Sequence, residues 1–209
     1  GRKQSKSLGN GIAPSEIIDK YGADILRLWV ASSDYHSDVR ISHDILKQLS
    51  EAYRKIRNTA RFVLGNIFDF DPNKHMVSTD ELEPIDKLAL GMLDDLVKRS
   101  IKAYDNFEFY QVYHGVHNFC VIDMSNFYFD VIKDRLYVER ADSLTRRSAQ
   151  TVMFIILDSM TRLISPILAY TADEIWRFMP HVEGENTTHV VFNNIKDKCN
   201  VELSDEFKA

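Results

Sequence analysis

The chain has 209 residues, 44% hydrophobic and 27% charged, with a formal net charge of −5. That balance gives enough apolar material for a sizeable core and excludes a globally basic nucleic-acid binder, so any nucleic-acid surface must be a local patch. With 5 prolines and 8 glycines, long regular elements are favoured over turns, and no apolar run reaches the length of a membrane span.

The first stretch in chain order is basic: Arg2-Lys3-Gln4-Ser5-Lys6-Ser7-Leu8-Gly9-Asn10. Two ammonium groups on flexible stems act as mobile point charges for phosphate. The Ser5 and Ser7 hydroxyls add donors, and Gly9 lets the backbone bend. Such a loop suits clamping a polyphosphate while negative charge shifts along it. A floppy basic terminus is the plainer alternative.

Pro14 then opens a short helix, Ser15 to Tyr21, which Gly22 is placed to end. Asp24 is expected to cap a second short helix with Ile25, Leu28, Trp29 and Ser32 on one face. Residues 33–41 read as a connector, in which Asp34, His36 and Asp38 are turn and cap residues rather than a metal site. Ser42 is a good N-cap for the best-patterned helix of the chain. Ile45, Leu49, Ala52, Ile56, Ala60, Val63 and Ile67 fall on one stripe at helical spacing. Arg54, Arg57, Asn58 and Arg61 fall on a nearly opposite arc. Between Tyr53 and Asn66 there are four basic residues and no acidic one. A solvated face usually mixes signs, so this one reads either as an ordinary wet face or as a rail for a phosphate backbone.

Residues 68–83 form a polar connector, and Pro84 starts a helix to about Asn106 with Ile85, Ala89, Met92, Leu96 and Ala103 inward. After a break at Phe107-Glu108, an aromatic-rich helix runs from Phe109 to about Val131. Its rings are mostly core, and His114 and His117 are polar core or rim residues. Residues 133–142 read as a charged connector, and Ser143 caps the last long helix, with Val152, Ile155, Ile156, Met160, Leu163 and Ile164 inward. Ser165-Pro166 interrupts it, and Thr171-Ala172-Asp173-Glu174 is a capping box for a final short helix. His189 to Phe192 reads as a short strand or extended segment. The expected fold is therefore all-α, an antiparallel helical bundle.

No Glu-x-x-His pair, glycine-rich phosphate loop, His-Glu-x-x-His or Gly-x-Ser-x-Gly motif is present. Seen alone, the chain has no self-contained active site.

Lys3-Gln4-Ser5-Lys6-Ser7-Leu8-Gly9-Asn10 resembles the Lys-Met-Ser-Lys-Ser signature of the class I aminoacyl-tRNA synthetases, with Gln4 where that family usually has Met. Gly22 to Val30, Asp34-Tyr35, Asp38 to Ser42, Tyr53 to Thr59, Arg61-Phe62, Gly65-Asn66, Ser165 to Leu168 and Thr171 to Trp176 are similar to the isoleucyl members rather than the valyl, leucyl or methionyl ones. The resemblance implies residues 1–41 as the end of a catalytic domain, 42–179 as an anticodon-binding helical bundle, and 180–209 as the start of a C-terminal extension. It implies catalytic lysines at Lys3 and Lys6, with Lys3, Lys6, Ser5 and Ser7 on ATP. It also implies tRNA contacts from Arg54, Lys55, Arg57, Asn58 and Arg61.

The activity implied is isoleucyl-adenylate formation from ATP and isoleucine, then charging of tRNA-Ile. In the full-length enzyme Mg2+ would accompany ATP. The fragment alone is expected to be inactive and to hold no cofactor or metal, with any zinc site beyond residue 209. A cytoplasmic monomer is expected, with no membrane partner. Cys120 and Cys199, which lack disulfide-framework or zinc-finger spacing, fit a reducing compartment. The alternatives are a helical protein-interaction module, or the equivalent part of a valyl, leucyl or methionyl synthetase.

Overall fold

The computed structural model describes residues 3–196. Among them the regular structure is helical, in line with an all-α bundle. Cys199 lies outside the described residues. Two short helices come first, α1 (Pro14–Tyr21) and α2 (Ala23–Ser32). Pro14 occupies the first turn of α1, where its missing N–H has no partner to lose. Gly22 separates the two helices at φ 90°, which a side chain would resist.

The long helix α3 (His43–Asn66) starts at Ser42, whose hydroxyl accepts the Ile45 N–H at 3.2 Å. Then come α4 (Pro84–Asp105), α5 (Phe109–Asn118), α6 (Phe129–Val131), α7 (Lys133–Tyr137), α8 (Leu144–Ile164) and α9 (Ala169–Phe178). As expected, Ser143 caps α8, its hydroxyl accepting the Arg146 N–H at 3.3 Å.

Helix α8 is the axis of the bundle. Of its 21 residues 17 are buried, so it meets neighbours on every side; these are α3, α4, α7 and α9. Its expected apolar face is in the core, except that Ile155 is half-buried. Its buried charges are all paired, as the cost of an isolated buried ion requires. Arg146 forks onto Asp69 at 2.7 and 3.1 Å. Arg162 donates to Asp158 at 2.9 Å and to Glu185 at 2.5 Å, and lies 4.8 Å over the ring of Trp176.

Five local expectations are corrected. First, Asp24 does not cap its own helix. Gly22 is the N-cap of α2, and the Asp24 carboxylate is turned instead onto the start of α9. Second, α9 begins at Ala169, two residues before the proposed capping box. Thr171 lies inside the helix, with its hydroxyl spent on Asp24 and Tyr53.

Third, the helix expected from Phe109 to Val131 changes register midway. Residues Phe119–Tyr128 form a π-helix, closed by the Phe129 N–H donating to the Met124 carbonyl five residues back. The Ser125 hydroxyl reaches the Cys120 carbonyl at 2.7 Å with the same spacing, and Thr59 of α3 approaches that carbonyl from across the interface at 3.4 Å. A hydroxyl that competes for a helical carbonyl widens the turn.

Fourth, the charged connector at 133–142 contains α7, whose Leu136 is buried. Arg135 anchors it by a two-pronged bond to the fully buried Asp86 of α4, at 3.0 and 2.6 Å. The hydroxyls of Tyr128 and Ser148 donate to the same carboxylate, at 2.7 and 2.5 Å. Fifth, His189 to Phe192 holds no strand; Val190–Phe192 is one 3-10 turn.

Helix α4 ends in a Schellman motif at an unusual residue. The Glu108 N–H donates to the Ala103 carbonyl at 2.7 Å and the Phe107 N–H to the Tyr104 carbonyl at 3.0 Å. This puts Phe107 at φ 59°, where glycine is the ordinary occupant.

Packing runs without a break from α2 into the bundle. Leu28 and Ala31 belong to the main core, while Ile17, Ile25 and Leu46 form a smaller one linking α1, α2 and α3. Arg27 donates to the carbonyls of Ile167 and Pro166, at 2.8 and 2.7 Å, and so pins the elbow between α8 and α9.

Candidate nucleic-acid interface

The apolar stripe of α3 turns its opposite arc to solvent. Leu49, Ala52, Ile56, Ala60 and Val63 are buried. Arg54, Lys55, Arg57, Asn58 and Arg61 are all exposed. The structure thus places the five residues expected from the sequence along one face of one helix.

Their electrostatics differ. Arg54 is paired with Glu51, one turn earlier and just outside the acid-free run. Lys55, Arg57 and Arg61 have no ion pair or side-chain hydrogen bond among the described residues, and nor does the Asn58 amide. Three cations on about two turns of helix, on a protein of net charge −5, form a local positive strip. Exposed cations along one helix face are an arrangement that can replace counterions along a phosphate backbone.

The basic stretch at the start of the chain is ordered by its own polar atoms. Lys6–Leu8 form a 3-10 turn. The Ser5 and Ser7 hydroxyls lie 3.0 Å apart, and Ser5 accepts the Leu8 N–H at 3.3 Å. Gly9 takes φ 59°, the bend expected of it. Lys3 and Gln4 are exposed.

Sequence reasoning missed the residue that closes this loop. The Asn10 amide accepts the Ser5 N–H at 3.0 Å through its oxygen and donates to the Lys3 carbonyl at 3.2 Å through its nitrogen. One side chain thus ties the start of the lysine-serine segment back to the residue that follows Gly9. The available signal was a carboxamide immediately after the glycine, the residue type that bonds back to nearby backbone.

In the connector after α2, the Asp34 carboxylate accepts the His36 N–H at 3.0 Å and meets its Nδ1 at 2.9 Å. The backbone bond and then the ring bond hold this carboxyl below its ordinary value. That is a turn cap, and Asp38 takes no part in it. Among the described residues no three His, Cys, Asp or Glu side chains come together as metal ligands, and no helix is long and apolar enough to cross a membrane.

Residues 86–208 match the family of anticodon-binding domains of tRNA ligases, and residues 1–42 match the class I tRNA synthetases of the I, L, M and V group. The isoleucine–tRNA ligase of Syntrophotalea carbinolica is 59% identical over 186 residues, which are 89% of this chain and 20% of that protein. The isoleucine–tRNA ligase of Desulforamulus reducens is 53% identical over 205 residues, 98% of this chain and 22% of that protein. The chain therefore spans about a fifth of the length of these relatives. Among solved structures, the LeuRS in a ternary complex with tRNA and LeuAMS from Agrobacterium radiobacter K84 shares the fold. Its TM-score is 0.67 at 17% identity, over 94% of this chain and 22% of that one.

Proposed function

Because the chain belongs to the family of anticodon-binding domains of tRNA ligases, we propose that it is the tRNA-binding part of an isoleucine–tRNA ligase, a cytoplasmic monomer that charges tRNA-Ile using ATP and isoleucine. The observation that carries this is the strip of Lys55, Arg57 and Arg61, exposed and unpaired on an acidic protein. Such a strip holds phosphates and sets the register of the RNA without reading its sequence. Arg54, shared with Glu51, and Asn58 extend the same face. The free, buried thiol of Cys120 accords with a reducing compartment.

The latched loop fits a polyphosphate in the longer enzyme. Its two adjacent hydroxyls and the exposed Lys3 are donors without competing acids on the segment. We assign Lys3, Lys6, Ser5 and Ser7 to the triphosphate of ATP, with Mg2+ arriving on the nucleotide. The lysines would oppose the charge that builds up as the α-phosphorus is attacked. Residues 1–41 would close the catalytic domain, 42–179 form the anticodon-binding bundle, and 180–209 begin the extension.

The test is binding of the 209-residue chain to an isoleucine tRNA transcript across a salt series. Arg57→Glu with Arg61→Glu should weaken binding by about tenfold or more at low salt and flatten the salt dependence. Circular dichroism should stay unchanged, because both side chains are exposed. Equal affinity with an intact spectrum refutes the phosphate strip.

A further inference from the structure

We propose that a hollow walled by three tyrosines, where α1, α3 and α9 meet, receives the arginine or lysine side chain of a peptide that is basic at one position and apolar at the next but one. Each helix supplies one ring: Tyr21 from α1, Tyr53 from α3 and Tyr170 from α9. The hollow has a volume of about 310 Å³, and two carboxylates, Asp24 and Glu174, share its lining with the rings. Among the described residues, no lysine, arginine or histidine lines it. The site is independent of the strip on α3 and of the tRNA-binding reading.

An aromatic face is negative at its centre, so rings around one hollow favour an organic cation, and nearby carboxylates add to the attraction. The Tyr21 ring already draws a cation from the chain itself: the Lys20 ammonium stands 5.3 Å from its centroid. The inner groups are fixed. The Thr171 hydroxyl donates its one proton to Asp24 at 2.6 Å, so the Tyr53 hydroxyl, 2.9 Å away, is the donor to Thr171. The Asp24 Oδ1 is engaged only by the Tyr170 N–H, at 3.4 Å, and keeps acceptor capacity. The outer groups are free. Glu174 is exposed and has no ion pair or side-chain hydrogen bond among the described residues, and Tyr170 is 71% exposed. An entering cation thus meets Glu174 at the rim, aromatic faces along the wall and Asp24 at the most buried point.

The neighbouring surface says what carries the cation. A second hollow, of about 490 Å³, lies beside the first and shares Tyr170 and Glu174 with it. The rest of its lining includes the apolar Ala169, Val190 and Val191. Its other carboxylate is already occupied: Asp173 is held by Arg177 at 2.7 Å and by the His189 Nδ1 at 2.9 Å. One hollow therefore attracts a cation and the next an apolar group. An extended peptide offers that pair, because alternate side chains project to one side about 7 Å apart. A phosphate would meet two carboxylates in the first hollow and no cation. A free polyamine would fill the first hollow and bring a second charge to an apolar wall.

The test is an NMR titration of the 209-residue chain, labelled in its tyrosine rings and valine methyl groups, with the peptide acetyl-Arg-Ser-Leu-amide at low salt. The ring signals of Tyr21, Tyr53 and Tyr170 and the methyl signals of Val191 should shift together and saturate with one dissociation constant, on the order of millimolar. Acetyl-Glu-Ser-Leu-amide should move none of them, and acetyl-Arg-Ser-Ser-amide should move the rings but not Val191. Tyr170→Leu and Glu174→Gln, both at exposed positions, should each weaken the arginine peptide about threefold with an unchanged circular dichroism spectrum. Ring signals that stay still, a glutamate peptide that binds as well, or variants that bind as tightly as the unaltered chain would each overturn the proposal. Tighter saturation of the same rings by spermidine would also overturn it, and would assign the hollow to free polyamines.

Discussion

The carboxylate of Asp24 accepts the backbone N–H of Thr171 at 2.7 Å, across 147 positions of sequence. It also accepts the Thr171 hydroxyl at 2.6 Å and, more loosely, the Tyr170 N–H at 3.4 Å. These are the orphan donors of the first turn of α9, so a residue of α2 serves as the N-cap of a helix at the far end of the chain. Asp24 is only 8% exposed, and its negative charge sits at the positive end of α9.

Asp24→Ala should therefore destabilise the chain by about 2 kcal/mol, the cost of a lost cap with buried donors left unmade. The loss should be local in origin: the amides of residues 170 and 171 should exchange with solvent much faster, while those in the middle of α8 change only with global stability. Asp24→Asn, which keeps an acceptor, should recover part of the loss. Urea unfolding with amide exchange checks this. An unchanged midpoint for Asp24→Ala would show that α9 does not depend on this cap.

The contrast between Asp24 and Ser42 explains how much of the fold could be read from the residues. Ser42 and Ser143 cap the helices that follow them, a relationship contained in four consecutive positions, and the arc of Arg57 and Arg61 follows from periodicity alone. Asp24 has the same local credentials as a cap, but Gly22 starts the helix first and the carboxylate is left for a partner known only once the chain is folded. The π register of residues 119–128 was illegible for a related reason. Its cause is partly Thr59, on another helix, approaching the Cys120 carbonyl. Helix α7 reads as connector because its five residues carry one buried apolar side chain, Leu136; it holds through Arg135 on the buried Asp86.

The latch at Asn10 ties loop shape to function. Its carboxamide holds Ser5 N–H and the Lys3 carbonyl at once, so it sets where the intervening lysine and serines are presented. In a full-length ligase carrying this sequence, Asn10→Ala should slow isoleucine-dependent pyrophosphate exchange by about tenfold to a hundredfold, the penalty of misplacing groups around the reacting phosphate. Binding of tRNA should be unaffected, because the strip on α3 is intact. Asn10→Asp keeps the acceptor but loses the donor to the Lys3 carbonyl, so it should fall between the two. Wild-type exchange rates for Asn10→Ala would separate the latch from the chemistry.

The ring of His181 packs at a tilt of 47° against Trp176 with centroids 4.5 Å apart, and its Nδ1 is buried with no hydrogen-bond partner among the described residues. Burial lowers the pKa of this imidazole from its ordinary 6.5, against the opposing pull of Glu185 and Asp158 and with the help of Arg162. The folded chain therefore binds fewer protons at this position than the unfolded chain. Its stabilising contribution is complete above pH 6.5 and is lost as the pH falls through the lowered folded value. Replacing the ring by an apolar side chain that cannot titrate, His181→Leu, should remove that part of the pH dependence while leaving the Arg162, Asp158 and Glu185 network paired. Urea midpoints measured from pH 7.5 down to pH 5 should then fall more steeply for the unaltered chain than for the variant. Parallel curves would mean that the imidazole titrates alike in both states, and that its buried nitrogen carries no penalty for the proton.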